Sequence, residues 1–216
     1  MDNLLALISI YALPIIFAIT LHEAAHGYAA KQFGDLTAHQ MGRISLNPLR
    51  HIDLVGTILV PAITLALGGI LFGWAKPVPV NFGNLRHPKK DMLWVALAGP
   101  AANLAMALFW ALSIKLSMWM PSSPLAVPMG LMGKAGVTIN VILMVLNLLP
   151  ILPLDGGRIM VSLLPHRYAY GYSKLEPYGL IILVFLLFTG VLGHILWPLI
   201  SLAMRGIFAV FGIALN

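Results

Sequence analysis

The chain has 216 residues, of which 60% are hydrophobic and only 9% charged, with a mean hydropathy of +0.92. A soluble domain carries about 25% charged residues, so this composition describes one polytopic membrane domain covering residues 1–216. The net charge of +6 is no nucleic-acid signal, because the basic residues sit in short connecting loops, and the absence of cysteine removes disulfides and thiolate metal ligands alike.

In chain order, residues 3–30 read as a first apolar helix with no basic start, so no cleavable signal peptide is expected. Residues 36–51 are polar and include two isolated loop histidines, His39 and His51, expected to be solvated. Residues 52–74 are apolar but interrupted by Gly56, Pro61, Gly68 and Gly69. Residues 73–81 carry Pro77 and Pro79 in an alternating pattern that suggests an extended edge strand. A basic loop with Arg86, Lys89 and Lys90 leads into a long helix over 92–119. A Pro-Ser linker precedes a helix over 131–150, and a connector with Arg158, His166, Arg167 and Lys174 precedes one or two spans in 178–215. The expected fold is therefore all-α and polytopic, with five or six hydrophobic segments and a short re-entrant or strand-like element after the first helix.

The first helix ends in His22-Glu23-Ala24-Ala25-His26. Residues four apart share a helix face, so both imidazoles can reach one zinc ion, with Glu23 beside it to accept a proton from water. Three ionisable groups in one turn of an apolar helix are costly in a bilayer and mark function. The other reading of His22 and His26 is that they are satisfied polar groups inside a bundle. A second element, Asn147-Leu148-Leu149-Pro150-Ile151-Leu152-Pro153-Leu154-Asp155-Gly156-Gly157, closes another apolar run. Asp155 can supply a third ligand of the kind zinc hydrolases use. Alone, it reads equally as a polar turn that caps the next helix. The prolines interrupt the helix, and the glycines let the backbone turn beside the metal.

These two elements, with Ala98-Gly99-Pro100-Ala101-Ala102-Asn103 between them, resemble the site-2 protease family of intramembrane zinc metalloproteases, as a short member with no inserted PDZ domain. The resemblance implies one Zn2+ ion held by His22, His26 and Asp155, with Glu23 as general base, and a strand region after the first metal helix. The activity implied is hydrolysis of peptide bonds within or next to the transmembrane helices of membrane-protein substrates, in the cell membrane. Substrate contacts are expected at Val78 and Val80 on that strand. Asn103 and Asn147 are buried amides that either hold substrate backbone or a metal ligand, or make interhelical hydrogen bonds.

For His26 and Asp155 to meet, the helices carrying them must run in the same direction. One of 52–74 and 92–119 therefore does not cross; 52–74 is the better candidate, and basic loops flank it on both sides, which places the site towards the cytoplasm. The competing function is a non-hydrolytic zinc transporter or sensor, which would need the ligands but no base at Glu23 and would commonly show inverted repeats.

Overall fold

The computed structural model describes residues 2–60, 63, 73 and 75–214. The first helix, α1 (Asp2–Gln32), contains the histidine motif within its last three turns. It stops where Gly34 adopts φ 111°, with Gly34 N–H on Lys31 C=O at 3.2 Å and Asp35 N–H on Ala30 C=O at 2.9 Å. This is a Schellman closure, which glycine makes accessible. A single turn, α2 (Thr37–Gln40), follows. Asp53 then caps a π-helical turn, Leu54–Leu59, by accepting from the Val55 and Gly56 amides.

Two long helices complete the centre: α3 (Pro88–Trp119), with proline at its first position, and α4 (Ala126–Asn147). Asn103 on α3 meets Ala18 on α1, and Val95 meets His26, so α3 runs antiparallel to α1. Ser113 meets Met129, and Asn103 meets Asn140, so α4 reverses again and runs parallel to α1. The α3–α4 approach is close enough that a Cβ on Gly136 would lie 2.2 Å from the Trp110 ring; small residues permit such contact in apolar bundles.

Two short helices, α5 (Asp155–Leu163) and α6 (His166–Ser173), lead to α7 (Gly179–Phe188) and α8 (Val191–Phe211). Ile200, Ile207 and Phe208 of α8 join Trp110, Ile114, Val137 and Val141 in the main buried cluster. The end of α8, at Gly212, lies beside Lys115 near the end of α3. Large apolar residues such as Phe109, Phe185, Trp197 and Val210 point outward, while Asn103 and Asn140 are wholly buried. Among the described residues, five segments are long and apolar enough to cross a membrane: Ser9–Gln32, Pro88–Trp119, Ala126–Asn147, His166–Phe188 and Val191–Phe211.

Among the described residues there is no β-strand: 75–81 run as irregular chain, in which Pro77 and Pro79 have no N–H to offer a ladder. Most of 52–74 lies outside the described residues. The chain does leave α1 and enter α3 at the same end of the bundle, where Arg86 N–H donates to Phe33 C=O at 3.0 Å.

Candidate active site

The i, i+4 spacing on α1 stacks His22 and His26 with their Nε2 atoms 3.1 Å apart. Asp155 reaches both: Oδ2 lies 3.3 Å from His22 Nε2, and Oδ1 lies 3.3 Å from His26 Nε2. All three donors fall within 4.8 Å of one another. Asp155 gets there because α4 stops at Asn147, the chain turns through 148–154, and α5 begins on the aspartate itself. A Cβ on Gly156 would sit 2.3 Å from the carbonyl oxygens of Leu148 and Leu149, and one on Gly157 2.5 Å from Leu152 N. Only glycine allows the turn to press against the start of α5. Asp155 lies in the first turn of that helix without capping it.

The hydrogen-bond partners fix the protons. Val95 C=O can only accept, so His26 Nδ1, at 2.7 Å, carries the hydrogen and Nε2 keeps its lone pair. Asn103 uses both amide hydrogens, on Ala18 C=O at 3.1 Å and on Asn140 Oδ1 at 3.0 Å. Its Oδ1 therefore faces His22 Nδ1 at 2.6 Å and accepts from it, which leaves His22 Nε2 unprotonated as well. With both rings neutral, two imidazole lone pairs and a carboxylate converge, and Asp155 Oδ2 is buried without a hydrogen-bond donor. Such a set calls for a cation. Two nitrogens and one oxygen, with each ring anchored through its other nitrogen, fit the donors of a three-ligand zinc site. Gly99 leaves room for it, since a Cβ there would lie 2.3 Å from His26 Nε2 and 2.7 Å from His22 Nε2.

Glu23 is held from the other side: its Oε2 accepts the Val78 N–H at 2.7 Å. The segment supplying that amide is clamped along its length. Lys76 N–H donates to His51 C=O at 2.9 Å, and Arg43 Nη2 donates to the carbonyls of Lys76 at 3.2 Å and Pro77 at 3.3 Å. Asn81 N–H donates to Asp35 Oδ2 at 2.7 Å. Asp35 Oδ1 further accepts from the amide and hydroxyl of Thr37 and from Asn84 Nδ2. Burial pushes the Asp35 carboxyl up, but the bonds from Thr37, Asn81 and Asn84 outweigh it and hold the pKa below the usual aspartate value.

His22, His26 and Asp155 come together, and Glu23 lies beside them on α1. Asn103 is occupied by His22 and by its neighbours on α1 and α4. Asn147, half-buried, donates to Leu143 C=O of its own helix at 3.0 Å. The Val78 side chain is buried and lies against Gly27, and Val80 packs with Ala30, Leu85 and Val95, so it is the backbone of this segment that faces Glu23. His51, expected in solvent, is 3% exposed and bonds Ser45 C=O at 2.9 Å; the folded loop, whose Lys76 N–H its own C=O accepts, encloses it. Sequence reasoning missed Asn140 and Arg43. Asn140 did carry a signal, an amide two turns before Asn147 on an apolar helix.

Residues 125–190 match the family model described as Peptidase family M50. Across 210 residues the chain is 35% identical to YwhC of Bacillus subtilis strain 168, named as a zinc metalloprotease, covering 96% of this chain and 93% of that protein. The chain belongs to peptidase family M50. This M50 chain is also 34% identical over 189 residues to Rip2 of Mycolicibacterium smegmatis, covering 86% of the chain and 69% of the relative. Against Rip2 of Mycobacterium tuberculosis strain H37Rv the identity is 32% over 176 residues, covering 80% and 62%. Both are named as zinc metalloproteases. No solved structure matches. The chain is thus a multi-pass membrane metallopeptidase of the site-2 protease type, and the non-hydrolytic reading is set aside.

Proposed function

We propose that this M50 chain cleaves peptide bonds within or next to transmembrane helices of membrane-protein substrates, using one zinc ion held by His22, His26 and Asp155. The observation that carries the reading is the convergence of two Nε2 lone pairs with the Asp155 carboxylate, one residue from Glu23, inside a bundle of apolar helices. His26 lies six residues before the end of α1, about 9 Å along the helix at 1.5 Å per residue, so the site sits near one membrane face. Lys31, Arg43, Arg86, Lys89, Lys90 and Arg158 gather at that end, which favours the cytoplasmic side of the cell membrane.

Zinc bound here supplies a Lewis acid for the scissile carbonyl and brings water's acidity towards neutral pH. Glu23, with Oε2 fixed by the Val78 amide, leaves Oε1 to take the water's proton and pass it to the leaving amine. Asn103 and Val95 C=O keep the two rings aimed by holding their Nδ1–H groups. A helical substrate satisfies its own backbone bonds, so it must unwind before cleavage. Segment 76–80 passes directly beside Glu23, and pairing of unwound substrate with the Val78 carbonyl and the Val80 backbone, the Val78 N–H being held by Glu23, brings the peptide to the base. We assign substrate contact to Asn147, half-buried at the last turn of α4, and the orienting of His22 to Asn103.

The test is Glu23→Gln in purified protein reconstituted with a panel of single-span transmembrane helices. The variant should keep its zinc and lose about 10²–10⁴-fold in cleavage, the contribution of a general base. Normal turnover would remove Glu23 from the chemistry.

A further inference from the structure

We propose that Asn140 is a positioning residue for the metal centre, setting through Asn103 which nitrogen of His22 carries the proton. The inference rests on His22 being a metal ligand and extends that assignment two residues outward, onto a third helix.

An asparagine amide is nearly symmetric in shape, so its orientation is decided by partners that cannot themselves turn over. Asn140 has such a partner: its Nδ2 donates to Gly136 C=O of its own helix at 2.8 Å. This aims Asn140 Oδ1 at α3, where it accepts from Asn103 Nδ2 at 3.0 Å. Asn103 gives its second hydrogen to Ala18 C=O of α1 at 3.1 Å. Its oxygen is therefore directed at His22 Nδ1, at 2.6 Å, and can only accept. The outcome is a Nδ1–H imidazole whose Nε2 lone pair points at His26 and Asp155. Both asparagines are 0% exposed, so no solvent competes for these bonds. Turning Asn103 over would present N–H groups to His22 Nδ1 and move the ring proton to Nε2, where it blocks metal binding. Two acceptors hold Asn103 against that reversal, Ala18 C=O and Asn140 Oδ1. Removing the second weakens the lock without abolishing it, which is the partial effect expected of an outer-shell partner.

Asn140→Leu removes the acceptor while keeping similar bulk. Asn140→Asp restores it, because a carboxyl buried among apolar helices takes its proton; its O–H then replaces the bond to Gly136 and its C=O accepts from Asn103. Purified wild type, both variants and His22→Ala would be compared by zinc competition against a chromogenic chelator. The 15N-histidine spectrum and the melting temperature of the metal-free proteins complete the comparison. Asn140→Leu should bind zinc about 10- to 100-fold more weakly, with the His22 nitrogen signals moved towards the Nε2–H form, while Asn140→Asp stays near wild type in both. Wild-type zinc affinity in Asn140→Leu, weakened affinity with unmoved His22 signals, or equal losses in Leu and Asp variants would each overturn the positioning role. If His22→Ala itself keeps its zinc, the ligand assignment fails instead; if His22→Ala loses zinc and Asn140→Leu does not, only the present inference falls.

Discussion

Gly99→Ala places one methyl group in the centre of the proposed metal site. Built on the existing backbone, the new Cβ would lie 2.3 Å from His26 Nε2, 2.6 Å from His22 Cε1 and 2.7 Å from His22 Nε2, whereas an ordinary contact begins at 3.4 Å. Relief requires either α3 to withdraw from α1 or both imidazoles to turn, by about 1 Å. Withdrawal is resisted by the Asn103 bonds to Ala18 and His22 and by the His26 bond to Val95, all within two turns of Gly99. Overpacking of this kind costs about 1–3 kcal/mol, and a misplacement near 1 Å costs about 10²-fold in turnover. The assay is zinc retention after dialysis against a mild chelator, followed by a thermal melt. Gly171→Ala on α6 serves as the control, because a Cβ there meets no atom within 4 Å. We expect Gly99→Ala to lose zinc and melting temperature while the control keeps both. A Gly99→Ala protein with wild-type zinc and an unchanged melt would refute the packing argument.

Three further outcomes follow from other parts of the bundle. The Asp35 carboxyl has a lowered pKa in the folded state, so its stabilisation is fully present above the ordinary aspartate range, about 4, and is lost as pH falls through the folded value. Asp35→Asn should be less stable at neutral pH by about 1–3 kcal/mol, and the gap from wild type should close on acidification; a gap that widens in acid contradicts the assignment. Arg43→Ala releases the carbonyls of Lys76 and Pro77 that keep the Val78 amide on Glu23, so it should slow cleavage while leaving zinc content intact; lost zinc would show that Arg43 acts elsewhere. Because the chain has no cysteine, single cysteines at Gln40, Asn84 and Ser173 should label from the cytoplasmic face, and those at Ser123 and Ile213 from the opposite face. Labelling of Gln40 and Asn84 from different faces would break the proposed orientation.

Much of the candidate site was legible because its chemistry is local. His22, Glu23 and His26 occupy one helical turn, and Asp155 is marked by the prolines and glycines that stop α4 and start α5. The supporting contacts were not legible because they are tertiary. An asparagine in an apolar helix announces that it needs a partner, yet only the antiparallel register of α3 against α1 and α4 reveals that Asn103 serves His22 and Asn140 serves Asn103. Val78 shows the same limit. Its alternating prolines suggested a strand, but those prolines remove two of the donors a ladder needs, and the Val78 amide between them is committed to Glu23. His51 looked like a loop residue in solvent until the folded 43–51 segment closed around it.

Zinc stoichiometry in wild type, His22→Ala and Asp155→Ala, each purified in the same detergent, tests the central claim most directly. The account predicts about one zinc per chain in wild type and a sharp loss in both variants, with Glu23→Gln keeping its metal. Undiminished zinc in His22→Ala and Asp155→Ala would contradict the site proposed at the junction of α1 and α5.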